Sequence, residues 1–350
     1  DIVTHELREL KIVRHRTPPL LPSRQTLYRF SSVGSTDMIS FPEPHSILIF
    51  AGLLFLGVGF HGRKLSLSAP ASAIGWVLFC SYFFLTTPYY IEINDPVLVL
   101  MAAGSLPVGI ALAYWEINSR GNIPASLVWL RGAVFWSGLP YMLVDKVPWL
   151  NVLAIWFVAW QTTLYLRWTG AGEIYLGDTY VHLEGQAPMK WDEWNGNKWF
   201  MESGGAEHPF YTDLVSATGE PIGIHFILAC TALQSMIIFV GAIVALQATP
   251  WRSRLRALMI AIPLIHILNI FRNAGLVWLH TSFDGWSWLS MNMFNFGHSY
   301  AAKAGSLAAM FLMALVLFEL LPQLHRHIID LMDKVYPISQ SRDQRDSRQS

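Results

Sequence analysis

Three side chains between residues 222 and 300 could together carry thiol chemistry. Cys230 lies in the apolar run Ile227-Leu-Ala-Cys-Thr-Ala-Leu-Gln-Ser-Met236, Arg272 in Asn269-Ile-Phe-Arg-Asn273, and His298 in Phe296-Gly-His-Ser-Tyr300. A cysteine attacks a carbonyl carbon as its thiolate, and a guanidinium beside it favours that ionised form. The same guanidinium can donate hydrogen bonds to the oxyanion of a tetrahedral intermediate. An imidazole titrates in the range that suits protonation of a leaving amine. Taken singly the three say less, because a lone cysteine commonly packs as a small apolar residue. Arg272 is the most telling. An arginine inside hydrocarbon costs about 2.5–3.5 kcal/mol on insertion scales, so it is expected to face a polar cavity and to have a task.

The elements that must position these groups are membrane helices. Of 350 residues, 53% are hydrophobic and 14% charged, with the charges crowded between long uncharged runs. Hydrophobic segments at 45–62, 71–91, 96–115, 125–144, 149–168, 222–247, 255–280 and 299–322 each approach the length of about 20 residues that crosses a bilayer as a helix. The expected fold is an all-α polytopic membrane protein of seven to eight transmembrane helices. Its one sizeable loop, 169–221, is expected outside the cell and to cap the site, with a short β-hairpin in the alternating stretch Glu173-Ile-Tyr-Leu-Gly-Asp-Thr-Tyr-Val-His-Leu-Glu184. Residues 1–44 read as a polar, basic leader without fixed structure and 323–350 as a hydrophilic cytoplasmic tail, without fixed structure after Pro337. Between them lie N-terminal membrane helices over 45–168 and catalytic membrane helices over 222–322.

Arginines set the orientation. Arg252, Arg254, Arg256 and the basic tail belong inside, which puts 169–221 and 281–297 outside. Eight full crossings cannot also satisfy the charges of the first half. Seven can, if 149–168, which carries Gln161, Thr162, Thr163 and Arg167, enters the outer face without crossing. Cys230 and Arg272, each about eight residues from the outer end of its segment, would then both lie roughly 12 Å below that face.

Other polar residues have plainer readings. Cys80 is expected to pack, His266 to be structural or to support the site from behind, and Arg131 to reach water from the inner end of its helix. Lys303 follows His298 closely enough to bear on the site, and Glu173, Asp178 and Glu184 could bind substrate or ions, as acids of any surface loop could. A formal net charge of zero gives no sign of a nucleic-acid partner, and two cysteines give no disulfide framework or metal pattern. GxSxG, HExxH and Walker motifs do not occur. No metal or organic cofactor is implied.

Leu228-Ala-Cys-Thr-Ala-Leu-Gln-Ser235, Asn269-x-x-Arg272 and His298, on three successive segments after a long loop, resemble the exosortase and archaeosortase family, with the form Ala-Cys-Thr-x-x-Gln-Ser-Met nearer its archaeosortase branch. The likeness covers about 45–322 in architecture and 228–300 in specific motifs. It implies a membrane-embedded thiol peptidase or transpeptidase with Cys230 as nucleophile and Arg272 and His298 as its required partners. The substrates implied are exported surface proteins with a carboxy-terminal sorting signal: a short Pro-Gly-Phe motif, a transmembrane helix and a basic end. A membrane lipid is the implied acceptor. Two departures stand out. The glycine usual two residues after the cysteine is Ala232, and the third position is histidine, as in bacterial exosortases, whose signals read Pro-Glu-Pro. A transporter or assembly factor with a polar pocket is the non-enzymatic alternative.

Overall fold

The computed structural model describes residues 44–62, 66–92, 95–119, 122–183, 185–199, 205–283, 286–288 and 291–335. The expected leader and the last part of the tail lie outside them. In chain order come α1 (Pro44–His61), α2 (Ser68–Leu85, continued by the short helix Thr87–Glu92), α3 (Pro96–Asn118), α4 (Ala125–Lys146) and α5 (Pro148–Trp168). Strands β1 (Ile174–Leu183), β2 (Met189–Lys190), β3 (Gly205–Ser216) and β4 (Pro221–Phe226) follow. The chain closes with α6 (Leu233–Val244), α7 (Trp251–Ser282), a two-residue ribbon of β5 (Ser287–Trp288) and β6 (Met291–Asn292), α8 (Ala302–Leu320) and α9 (Pro322–Val335). Six of these, Ser68–Glu92, Pro96–Asn118, Ala125–Lys146, Pro148–Trp168, Trp251–Ser282 and Ala302–Leu320, are long and apolar enough to cross a membrane. The protein is a multi-pass helical membrane protein with a small antiparallel sheet.

Local chemistry sets the helix starts. Asp95 accepts from the backbone N–H of Val97 and Leu98, at 3.1 and 3.0 Å, and Pro96 occupies the first turn of α3, where a missing N–H is harmless. Small residues let helices touch. A methyl group added at Gly75 of α2 would lie 2.8 Å from the Leu56 backbone nitrogen of α1, so this pair packs backbone to backbone.

One apolar core joins Trp129 and Ala133 of α4, Phe239 and Ile243 of α6, Ala257 and Ala261 of α7, Leu317 of α8 and Leu324 of α9. A second joins Ile155, Val158 and Ala159 of α5 to Val181, Phe210, Leu214 and Phe226 of the sheet and to Ile270, Ala274 and Val277 of α7.

Several expectations are corrected. The stretch Ile174–Leu183 is a single strand, so the expected short hairpin of this loop is made by β1 with β2, where Tyr180 faces Lys190 and Val181 faces Met189. β1 pairs with β3, some thirty residues on, in a sheet of order β2-β1-β3-β4. Alternation identifies a strand but not its partner. The segment 222–247 is not one helix, because Pro221–Phe226 alternates, with Ile224 and Phe226 buried and His225 exposed, and pairs with β3 as β4. Mean hydropathy cannot separate such a strand from the helix after it. Two expected segments fall short of the candidate spans: α6, 12 residues long, and the first helix, with its shorter apolar stretch Ser46–His61. Pro148–Trp168, whose crossing the charge pattern left open, is an unbroken helix of 21 residues. The first part of the tail forms α9, which is amphipathic, with Leu324, Ile328 and Leu331 against the bundle.

Arg131 does not reach water. It is 1% exposed, donates to Ser72 Oγ at 2.6 Å and meets Glu116, itself fully buried, at 3.4 Å, and Trp76 Nε1 donates to the other Glu116 oxygen at 3.4 Å. The carboxylate lies on the neighbouring helix α3, so nothing local in sequence announces the pair. Removing one partner strands the other charge, at about 3–5 kcal/mol. Glu116→Leu and Arg131→Met are each expected to lower the thermal stability of the detergent-solubilised protein sharply. The double variant should recover much of the loss.

Candidate active site

Cys230 sits in a single 3-10 turn, Leu228–Thr231, between β4 and α6. The turn ends at Ala232, whose φ of 55° and ψ of 16° put it in the left-handed region, the only non-glycine residue there among those described. That conformation costs an L-residue about 1–2 kcal/mol and is free for glycine. The next turn begins α6, whose first N–H groups are helped by Thr231, which accepts from Leu233 N at 3.2 Å.

The cysteine carbonyl is held by two amides from one face of α7. Asn269 Nδ2 donates to it at 2.8 Å and Asn273 Nδ2 at 2.9 Å. Both asparagines are at least 95% buried. Arg272 lies between them in sequence and donates from Nη1 to Asn273 Oδ1 at 3.4 Å, while its Nε is buried with no hydrogen-bond partner among the described residues. No ion pair with Arg272 occurs among the described residues, so its charge is not neutralised by a carboxylate. Its field reaches both Cys230 and His298. Thus the level shared by Cys230 and Arg272 exists, although Cys230 precedes its helix and does not lie two turns inside it.

His298 occupies a π-helical turn, Gly297–Ala301, in which Ala302 N–H reaches back to Gly297 O. Such turns insert one residue into a helix and re-aim its side chains. The His298 ring stacks on Phe294 at 5.9 Å, Phe294 meets His280 edge-on at 5.4 Å, and His280 Nε2 pairs with Ile222 O at 2.9 Å. A row of rings therefore ties His298 to the strand that leads to the cysteine. Lys303 is within electrostatic reach of His298.

A cavity of about 440 Å³ opens between α7 and α8 beside this group. Arg272, Asn269, Ser235, Ala232 and Gly297 contribute to its wall; Cys230 and His298 stand outside its lining. His266 pairs with Gln161 of α5 at 2.5 Å and stacks on Phe157, which makes it a link between α5 and α7. Cys80 is buried against Gly109, as packing requires. Of the loop acids, Glu173 accepts from Tyr175 and Asp178 pairs with Lys190 at 2.6 Å, while Glu184 lies outside the described residues. On the sheet face away from the cysteine, burial and the neighbouring Asp213 and Tyr180 push the Tyr211 hydroxyl up to about 12, so it remains a neutral donor. Among the described residues no three His, Cys, Asp or Glu side chains gather as a metal site would require.

Sequence reading missed the working role of Asn269 and Asn273. The signal was available: two amides four residues apart on an apolar helix, flanking an arginine, share one face and need partners.

Among curated proteins, the chain is similar to archaeosortase A of Haloferax volcanii, with 25% identity over 227 residues, 64% of this chain and 67% of that protein. At this modest identity the match supports membership of the archaeosortase and exosortase family. No family model matches, and no solved structure gives a significant match.

Two outcomes follow from the clamp and the turn. Asn269→Leu and Asn273→Leu each leave a buried carbonyl bond unmade, worth about 1–3 kcal/mol, and should lower thermal stability in detergent. Ala232→Gly relieves the left-handed strain but adds about 0.5–1 kcal/mol of chain entropy, for a net gain of up to about 1 kcal/mol in the same assay.

Proposed function

We propose that this protein is a membrane-embedded cysteine transpeptidase that processes the carboxy-terminal sorting signal of exported surface proteins, with Cys230, Arg272 and His298 as its catalytic residues. The similarity to archaeosortase A supports the broader part of this reading, an enzyme of sorting-signal processing in a multi-pass membrane protein. The observation that carries the finer part is the clamp. Asn269 and Asn273 fix the backbone of Cys230 to the same helix face from which Arg272 presents an unpartnered, buried Nε–H.

Chemically, the Cys230 thiolate attacks the carbonyl carbon of the scissile peptide bond, and the resulting oxyanion accepts from Arg272. Collapse of the tetrahedral intermediate breaks the C–N bond, and the leaving amine takes a proton from His298. A thioester remains on Cys230. A nucleophilic group of a membrane lipid, or water, then attacks the thioester carbonyl and gives its proton to His298; the C–S bond breaks, the acyl group leaves on the acceptor and the Cys230 thiolate is restored. The amides of Asn269 and Asn273 do not touch the reacting atoms; they hold the nucleophile in place. The site faces the outside of the cell, where an exported protein meets it, and the signal's apolar helix lies in the membrane beside α7 and α8.

The test is co-expression with an epitope-tagged surface protein ending in Pro-Gly-Phe, an apolar helix and a basic tail, following the tag's size and membrane attachment. Cys230→Ala and Arg272→Ala should abolish processing at normal abundance in the membrane, and His298→Ala should reduce it at least tenfold, as loss of a general acid does at about 10²–10⁴. Full processing by Cys230→Ser would remove the nucleophile assignment. Processing of a Pro-Glu-Pro signal instead would move the substrate to the exosortase type.

A further inference from the structure

A second cavity, of about 630 Å³, lies at the other end of α6 from Cys230. Its wall is made by Asn122 and the first turn of α4, by Gln247 and Ala248 after α6, and by Gln323 and His327 of α9. Trp129 stands at its side, stacked on the His327 ring at 5.6 Å and held by donation from its Nε1 to Ala242 O at 2.8 Å.

The hydrogen bonds around His327 fix what the cavity lacks. Thr249 Oγ1 donates to Gln323 Oε1 at 2.6 Å, so the amide oxygen is taken and the Gln323 NH₂ faces His327 Nε2 at 3.1 Å. An amide NH₂ can only donate, which makes Nε2 the acceptor and puts the proton of the neutral ring on Nδ1. Nδ1 is buried and has no partner among the described residues, and the residue is 94% buried. A donor in that position calls for an acceptor from outside the chain.

The remaining lining agrees in sign. No carboxylate contributes to the wall; Asp330, further along α9, is exposed and stands outside it. The floor residue Arg131 adds no free charge, since Glu116 meets it. What remains is uncharged and able to donate: two helix N-termini, those of α4 and α9, and the side-chain amides of Asn122 and Gln247, each of which carries both a donor and an acceptor. Helix N-termini favour anions, phosphate among them. Val128, Trp129 and Ala248 supply an apolar side to the same space. The cavity is thus built for an anionic oxygen carried on an apolar body, and it lies beside the amphipathic α9, whose Leu324, Ile328 and Leu331 pack on the bundle.

We propose that this cavity binds the phosphate of an anionic lipid headgroup, with His327 Nδ1–H as the central donor. The site is separate from the cysteine site and does not depend on the reaction assigned to it.

The experiment uses the full chain purified in a neutral detergent and offered phosphatidylglycerol, phosphatidylcholine or inorganic phosphate, with retained lipid counted by native mass spectrometry. The wild type should retain phosphatidylglycerol over phosphatidylcholine, and millimolar inorganic phosphate should not displace it. His327→Phe keeps the ring stacked on Trp129 but removes the donor, and should weaken retention roughly tenfold, as loss of a hydrogen bond to a charged group does. Asn122→Leu, at the exposed rim, should weaken it less, and Cys230→Ala not at all. Equal retention of the two lipids would overturn the proposal, as would unchanged retention by a monodisperse His327→Phe variant. Displacement by inorganic phosphate would overturn the assignment to a lipid. Failure of sorting-signal processing would leave this outcome unaffected, because Cys230→Ala itself is expected to bind.

Discussion

The candidate site depends on a carbonyl group. The oxygen of Cys230 accepts two amide donors, Asn269 and Asn273, one turn apart on α7. In a low-dielectric interior a satisfied pair of this kind is rigid, and an unsatisfied one is expensive. The clamp therefore does more than align a residue. It binds the turn after β4 to the helix that carries Arg272, and so gives the sheet, α5 and α7 a common core around Ile155, Phe226 and Ile270. His298 joins from the other side through the rings of Phe294 and His280, which touches the backbone of β4 at Ile222. Thiol, guanidinium and imidazole come from three elements, and each is tied to the same short stretch of chain.

Much of this architecture is legible in the sequence because apolar length and charge placement are one-dimensional properties. Long helices such as α3, α4 and α5 lie close to the expected segments. What escapes is whatever depends on a partner distant in sequence. β1 shows its alternation but not that β3 would cover it, and Ile224 and Phe226 read as part of a helix until the sheet claims them. Arg131 looked able to reach water because Glu116 lies on another helix. The candidate residues Cys230, Arg272 and His298 could be picked out by type. The asparagines that position them could not be ranked by type alone, since an amide in a membrane helix has many uses.

Ala232 connects sequence and geometry most directly. The family to which the chain shows its likeness usually has glycine there, and the backbone at this position is left-handed, the conformation in which glycine alone is unstrained. The departure from glycine is therefore a local strain at the hinge between cysteine turn and helix, and not a change of fold.

The cysteine turn also has a consequence of reach. Cys230 is the fourth residue after Phe226, the last residue of β4. Even drawn straight, four residues span at most about 14 Å, and a 3-10 turn spans much less. The thiol is in effect leashed to the edge of the sheet by covalent bonds. Helices may shift against one another in a fluid bilayer, but this distance is bounded by the chain itself, so the sheet serves as a fixed ruler from which the position of the sulfur is measured.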